Sequence, residues 1–149
     1  SGKAIRFNEA AVRSMGRSAR GVRGIKLRES ESLISLIIPS DGYLLSASQN
    51  GYGKRTPMRD FPAKGRGGQG VIAIQTSERN GKMIGASQVF DGDEVMLISN
   101  SGTLVRIPTE QISVVGRNTQ GVKLISLKEG ELLNSVERIA DRQEEQSED

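Results

Sequence analysis

A ten-residue stretch occurs three times in the chain, and repetition at a fixed period constrains a fold more than any single motif does. The copies read Gly16-Arg17-Ser18-Ala19-Arg20-Gly21-Val22-Arg23-Gly24-Ile25, Gly65-Arg66-Gly67-Gly68-Gln69-Gly70-Val71-Ile72-Ala73-Ile74 and Gly116-Arg117-Asn118-Thr119-Gln120-Gly121-Val122-Lys123-Leu124-Ile125. Each is Gly-Arg, three residues, Gly-Val, two residues, Ile. Fourteen residues before each opening glycine stands another (Gly2, Gly51, Gly102), and four residues after that one an arginine (Arg6, Arg55, Arg106). The spacings of 49 and 51 residues predict repeats over about 1–50, 51–101 and 102–140, followed by an acidic, disordered tail at 141–149.

Within the repeats the patterning is that of strands. Residues 3–7 alternate, with Ile5 and Phe7 on one face. Short β-branched runs follow each Gly-Arg loop, at 22–27, 71–75 and 122–127. Further strands are expected at 33–38, 43–48, 83–89, 94–99 and 133–139. Asp41-Gly42, Asn50-Gly51, Asn80-Gly81 and Asp91-Gly92 supply the turns between them. Residues 8–15 have helical propensity with Asn8 as a cap, but the aligned segment 57–64 contains Pro57 and Pro62. A proline inside a helix costs about 3 kcal/mol, so all three segments read as loops with at most one short turn. About four short strands per repeat and no helix describe an all-β, propeller-like ring of four-stranded blades. Three blades fall short of the usual number, so the chain is expected either to be a fragment of a larger ring or to complete the ring with another chain; a fragment would expose strand edges that favour self-association.

Several chemistries are excluded or disfavoured by composition. The chain has no Cys and no His, which removes disulfides, the usual zinc ligands and the commonest general base. No catalytic residue, metal or cofactor is expected. No apolar run is long enough to span a bilayer, and a cytoplasmic location is expected. Residues 1–140 hold 20 basic and 13 acidic side chains, a net of +7, while 141–149 hold one Arg and five acids, a net of −4. A basic body with an acidic tail predicts a polyanionic partner and a tail that competes for the same surface.

Gly65-Arg66-Gly67-Gly68-Gln69-Gly70 matches the spacing of a dinucleotide-binding fingerprint. Its context is wrong, because a strand-like run follows where that fingerprint requires a helix. The repeated glycines read as backbone geometry. The arginine that follows them has two readings, a structural contact or a phosphate contact beside open backbone N–H groups, and the absence of acids inside the loops favours phosphate. The candidate contacts are Arg6, Arg13, Arg17, Arg20 and Arg23 from the first repeat, Lys54, Arg55, Arg59, Lys64 and Arg66 from the second, and Arg106 and Arg117 from the third. A basic cluster recurring in successive blades makes a stripe suited to duplex DNA. The five aromatic residues form no base-stacking platform, and nothing resembles a recognition helix. The competing reading is a protein-interaction propeller whose basic rim docks an acidic partner.

Asn50-Gly51-Tyr52-Gly53-Lys54-Arg55-Thr56, Glu78-Arg79-Asn80-Gly81 and Val115-Gly116-Arg117-Asn118-Thr119-Gln120-Gly121-Val122 resemble the C-terminal domain of bacterial DNA gyrase A, over essentially the whole chain. The equivalent part of topoisomerase IV has related blades, and the Gly-Arg-Asn-Thr-Gln-Gly run favours gyrase. The resemblance implies a β-pinwheel, a six-bladed propeller variant whose blades exchange strands and whose basic rim bends duplex DNA. It implies the last three blades plus the acidic tail, with the rest of gyrase A and with gyrase B as partners. The family's Gln-Arg-Arg-Gly-Gly-Lys-Gly box is absent, and Lys64-Gly65-Arg66-Gly67-Gly68-Gln69-Gly70 is similar to a degenerate copy. Neither Tyr43 nor Tyr52 lies in a motif like that of the family's catalytic tyrosine.

Overall fold

A computed structural model describes residues 1–141; residues 142–149, which hold most of the expected acidic tail, lie outside them. The described chain forms nine strands: β1 (Lys3–Ala4), β2 (Tyr43–Ser48), β3 (Tyr52–Pro57), β4 (Val71–Ile72), β5 (Met83–Val89), β6 (Glu94–Ser99), β7 (Leu104–Pro108), β8 (Val122–Lys123) and β9 (Leu133–Ile139). No α-helix occurs among the described residues, as expected of an all-β repeat. The segments with conflicting helix signals each form one 3₁₀ turn, at Glu9–Ala11, Met58–Asp60 and Thr109–Gln111. Asn8 caps the first, its side chain accepting the Ala10 N–H at 2.8 Å. Pro57 and Pro108 stand at the cap of the other two and make no side-chain bond.

The sheets are built by strand exchange between repeats. β2 and β3 form a hairpin over Asn50-Gly51, where Gly51 takes φ +87°. β5 adds to the β2 side of that hairpin and β8, from the following repeat, to the β3 side, giving the order β5-β2-β3-β8. The pairing Tyr52↔Lys123 and Gly53↔Val122 repeats that of Lys3↔Ile72 and Ala4↔Val71 between β1 and β4. The Gly-Val step is therefore the strand that the second and third repeats each lend to the blade before them. Its glycine is required twice over. Gly70 and Gly121 take φ +78° and +73°, and a Cβ there would collide with the Ala4 and Gly53 carbonyls.

Side-chain alternation along β2 joins the blades. Leu44 packs with Met58, Phe61 and Ala73 on one side, while Leu45 and Ala47 pack with Val89, Val95, Leu97, Ile112, Ile125 and Leu133 on the other. β2 is buried on both faces from Leu44 to Ser48, so its small Ser46 and Ser48 are as buried as Leu45 and Ala47. Each fully buried Leu, Ile or Val contributes about 1.5–3 kcal/mol.

Two expected strands do not form. Residues 22–27 have no ladder, and neither do residues 33–38, where Leu36 and Ile38 are 88% and 92% exposed. The counterparts of 33–38 are β5 and β9, which pair with β2 and β6, the strands immediately before β3 and β7. No described strand stands before β1, so the apolar run at 33–38 has no ladder to join. By the same logic β7 pairs, among the described residues, only with β6, and its outer edge has no described partner. The runs at 71–75 and 122–127 form ladders of only two residues each, at 71–72 against β1 and at 122–123 against the start of β3.

Candidate nucleic-acid interface

In the second and third Gly-Arg loops the repeated Arg is a link between repeats. Arg66 Nε donates to the Ala11 carbonyl at 2.8 Å and its NH1 to the Arg23 carbonyl at 3.2 Å. Arg117 NH1 donates to the Ile72 carbonyl at 3.1 Å. Arg23 and Ile72 hold the same position in successive repeats, so each loop is tied to the strand-forming segment that follows the previous loop. Gly67 N–H donates to the Gly24 carbonyl at 2.6 Å and Lys26 N–H to the Gly68 carbonyl at 2.8 Å, reinforcing the first junction. The Gly-Arg loops thus follow one another along one side of the blades. Each linking guanidinium keeps a terminal nitrogen with no bond among the described residues.

The other candidates separate into groups. Arg13, Arg17, Arg20, Arg23, Arg59 and Lys64 are exposed and, with Arg66 and Arg117, have no carboxylate partner among the described residues. Arg6 is half-buried, and its NH1 donates to the Met58 and Phe61 carbonyls at 3.2 and 3.4 Å. Arg55, its counterpart, is 6% exposed. Its Nε donates to the Ile112 carbonyl at 2.8 Å, its NH1 meets Asp91 at 3.0 Å, and its guanidinium lies 4.7 Å over the Tyr43 ring. Phe61 and Ile112 are equivalent, so Arg6 and Arg55 each fasten the 3₁₀ turn of the next repeat. Arg106 has no next repeat to fasten among the described residues and forms an exposed ion pair with Glu94 instead.

Lys54 departs furthest from the expected surface contact, because it is fully buried. Its ammonium donates to the Gly116 carbonyl at 2.7 Å, to the Thr119 carbonyl at 3.1 Å, to Thr119 Oγ1 at 3.0 Å, and to the Arg117 carbonyl. Burial, and secondarily the Arg117 guanidinium, hold its pKa down to about 8, so it remains charged at neutral pH. The expectation of exposed contacts therefore does not extend to Lys54 and Arg55 in this structure. Period-two alternation gave no warning, because β3 is buried along its whole middle.

One exposed cation outside the expected set shares the geometry. Lys123 occupies the position of Arg23 and Ile72 in the third repeat. The two-residue offset from the Gly-Val glycine is the signal that marks it. Tyr52 lies under the Arg79 guanidinium at 4.2 Å, so both tyrosines carry a structural stacking role. Among the described residues no group of three or more His, Cys, Asp or Glu could hold a metal, and no helix is long and apolar enough to cross a membrane.

The family model for the DNA gyrase C-terminal domain, a beta-propeller, matches residues 1–40, 42–89 and 93–140. The chain belongs to that family. It is 57% identical to DNA gyrase A of Pseudomonas aeruginosa over 139 residues, covering 93% of this chain and 15% of that protein. It is 50% identical to DNA gyrase A of Escherichia coli over 146 residues, covering 97% of this chain and 17% of that protein. The chain therefore spans about a sixth of the length of these relatives. Among solved structures, a DNA gyrase A C-terminal domain superposes with TM-score 0.83 at 30% identity, covering 93% of this chain and 48% of that one. The C-terminal domain of a DNA topoisomerase IV superposes with TM-score 0.84 at 26% identity, covering 97% and 46%. The fold is thus shared with both, while the Pseudomonas and Escherichia relatives are both gyrases.

Proposed function

We propose that this gyrase A C-terminal segment is a non-catalytic module that binds and bends duplex DNA through the phosphates, without reading sequence. It works within the longer gyrase A polypeptide and with gyrase B, to support supercoiling by the holoenzyme. The observation that carries this reading is the succession of Gly-Arg loops tied repeat to repeat, with ten of the twelve expected cations lacking a carboxylate partner among the described residues, eight of them outside the buried Lys54 and the carbonyl-bound Arg6. Such a row suits a regular polyanion, and neither a base-stacking platform nor a reading helix accompanies it.

Smooth bending of a 20–30 bp site by 40–90° costs on the order of 1–6 kcal/mol, which phosphate contacts must offset. Neutralising about six phosphates gives a log–log salt slope near −5. The test is binding of random-sequence duplexes by the intact protein from about 50 to about 200 mM salt. Charge reversal at Arg17, Arg66 and Arg117 should weaken every duplex alike. A flat salt response, or one sequence losing far more affinity than the rest, would sink phosphate tracking. Capture of an acidic protein without DNA would favour the protein-docking alternative.

A further inference from the structure

We propose that Lys54 is a positioning residue for the third Gly-Arg loop: its buried ammonium gathers the loop's carbonyl groups from beneath and so fixes where Arg117 meets a duplex phosphate. The inference rests on the DNA-binding reading above and adds to it a part that no surface inspection finds.

Packing alone does not demand a lysine here. The equivalent positions in the other repeats are Ile5 and Val105, and Ile5 lies under the second loop as an ordinary aliphatic contact beside Gly68. A buried ammonium with no carboxylate is costly unless its protons are satisfied. Here the satisfaction comes wholly from the loop, through the carbonyls of Gly116, Arg117 and Thr119 and the hydroxyl of Thr119. The hydroxyl is particular to this loop, since Ala19 and Gly68 stand at that position in the other two. Thr119 Oγ1 also donates to the Gly116 carbonyl at 2.9 Å, closing the loop on itself around the lysine. Turning these carbonyls inward fixes the path of the main chain through Arg117. Arg117 then keeps one hand on the Ile72 carbonyl while its remaining donors stay uncommitted among the described residues.

The test is a double-mutant cycle in the intact protein, read as the salt slope of duplex binding and as amide exchange of the loop. Arg117→Ala should lower the slope by about one. Lys54→Met should lower it by about one as well, and the double variant by about one rather than two, because both remove the same phosphate contact. Lys54→Met combined with Arg66→Ala should be additive. Amide exchange at 116–121 should quicken by on the order of tenfold in Lys54→Met, with 65–70 unchanged. Thr119→Val removes one acceptor while leaving the lysine in place. It supplies a milder variant with the same signs should Lys54→Met fold poorly.

A merely structural lysine would lower the folded fraction without changing the slope, and that result overturns the proposal. A full additive loss with Arg117→Ala also overturns it, because it would mean that the Lys54 charge attracts DNA directly. If the unsubstituted protein binds no duplex, the DNA-binding reading fails and takes with it the DNA role of Lys54. Unchanged loop exchange in Lys54→Met overturns the bracing independently of DNA.

Discussion

Loops 16–21 and 116–121 share the Gly-Arg-x-x-x-Gly-Val signature and differ in nearly everything that holds them. The third is gripped by Lys54 below, by Gln75 N–H on the Thr119 carbonyl at 2.9 Å, by Asn80 Nδ2 on the Gln120 carbonyl at 2.7 Å, and by Arg79 NH2 on the Gly121 carbonyl at 3.1 Å. Among the described residues the first has one internal bond, Ala19 N–H to the Gly16 carbonyl at 3.1 Å. The grip comes from the repeat before, and the first loop has no described repeat before it. A motif of this kind therefore encodes a strand and a link, while its rigidity is supplied by a neighbour.

Glycine substitution gives the largest expected contrast. Gly121→Ala drives a methyl into the Gly53 carbonyl at positive φ and should cost about 3 kcal/mol or more. Gly21→Ala meets nothing within 4 Å and should cost about 1 kcal/mol from φ alone. Urea unfolding of both variants measures the difference, and equal losses would mean the third loop is not packed as described. The arginine pair comes next. Arg55→Ala strips a donor from the Ile112 carbonyl and a cation from the Tyr43 ring, and should cost about 2 kcal/mol. Arg106→Ala removes an exposed ion pair and should cost less than about 0.5 kcal/mol in the same experiment.

Acid sensitivity separates the first and third repeats more finely. Glu131 accepts from Ser99 Oγ and Thr103 Oγ1, both at 2.8 Å, and from Lys128 N–H at 3.1 Å, and these bonds lower its pKa below the ordinary value. Glu31 accepts the matching bond from Arg28 N–H at 2.8 Å, which leads the lowering of its own pKa with Ser1 second, but among the described residues no counterparts of Ser99 Oγ and Thr103 Oγ1 bond it together. A carboxyl with a depressed folded pKa stabilises above its unfolded pKa, near 4.5 for Glu, and loses that contribution as pH falls through the folded value. Glu131→Gln should therefore flatten stability below about pH 4.5 more than Glu31→Gln does. Thermal melting across pH 3 to 6 (roughly one and a half units either side of that value) reads the slope, and identical profiles would remove the distinction. The smallest effect is expected from the tail. Asp141 N–H donates to Asp93 at 3.2 Å, beside the Asp91 that pairs with Arg55, so the last described residue sits against a blade. Deleting 142–149, with four acids and one Arg, should tighten duplex binding at low salt, and unchanged affinity would dismiss tail competition.

The same dependence on neighbours explains what the sequence made legible. β2, β5, β6 and β9 carry their own apolar patterning, and Asp-Gly or Asn-Gly steps bound β2 and β5 on both sides and β6 at its start, so these limits could be read directly. Residues 22–27 and 33–38 have equally good patterning but no partner strand, and patterning cannot reveal whether a partner is present. The exposed cations of the Gly-Arg loops were legible from charge and glycine spacing. Lys54 and Arg55 were not, because adjacent charged residues in a strand look solvent-facing until the carbonyls that bury them arrive from the following repeat. Likewise, an arginine repeated at a fixed spacing looks alike whether it faces solvent or a backbone oxygen of the adjacent repeat.

Strand exchange also sets a timetable for synthesis. Tyr52 in β3 pairs with Lys123 in β8, so the central blade waits for residues made 71 positions later. At ~5–20 residues per second this is roughly 4–14 s, during which the outer edge of β3 has no native cover. A nascent chain of this architecture completes each blade only when the following repeat has emerged, and a ribosome stalled between repeats holds a polypeptide with one sticky edge.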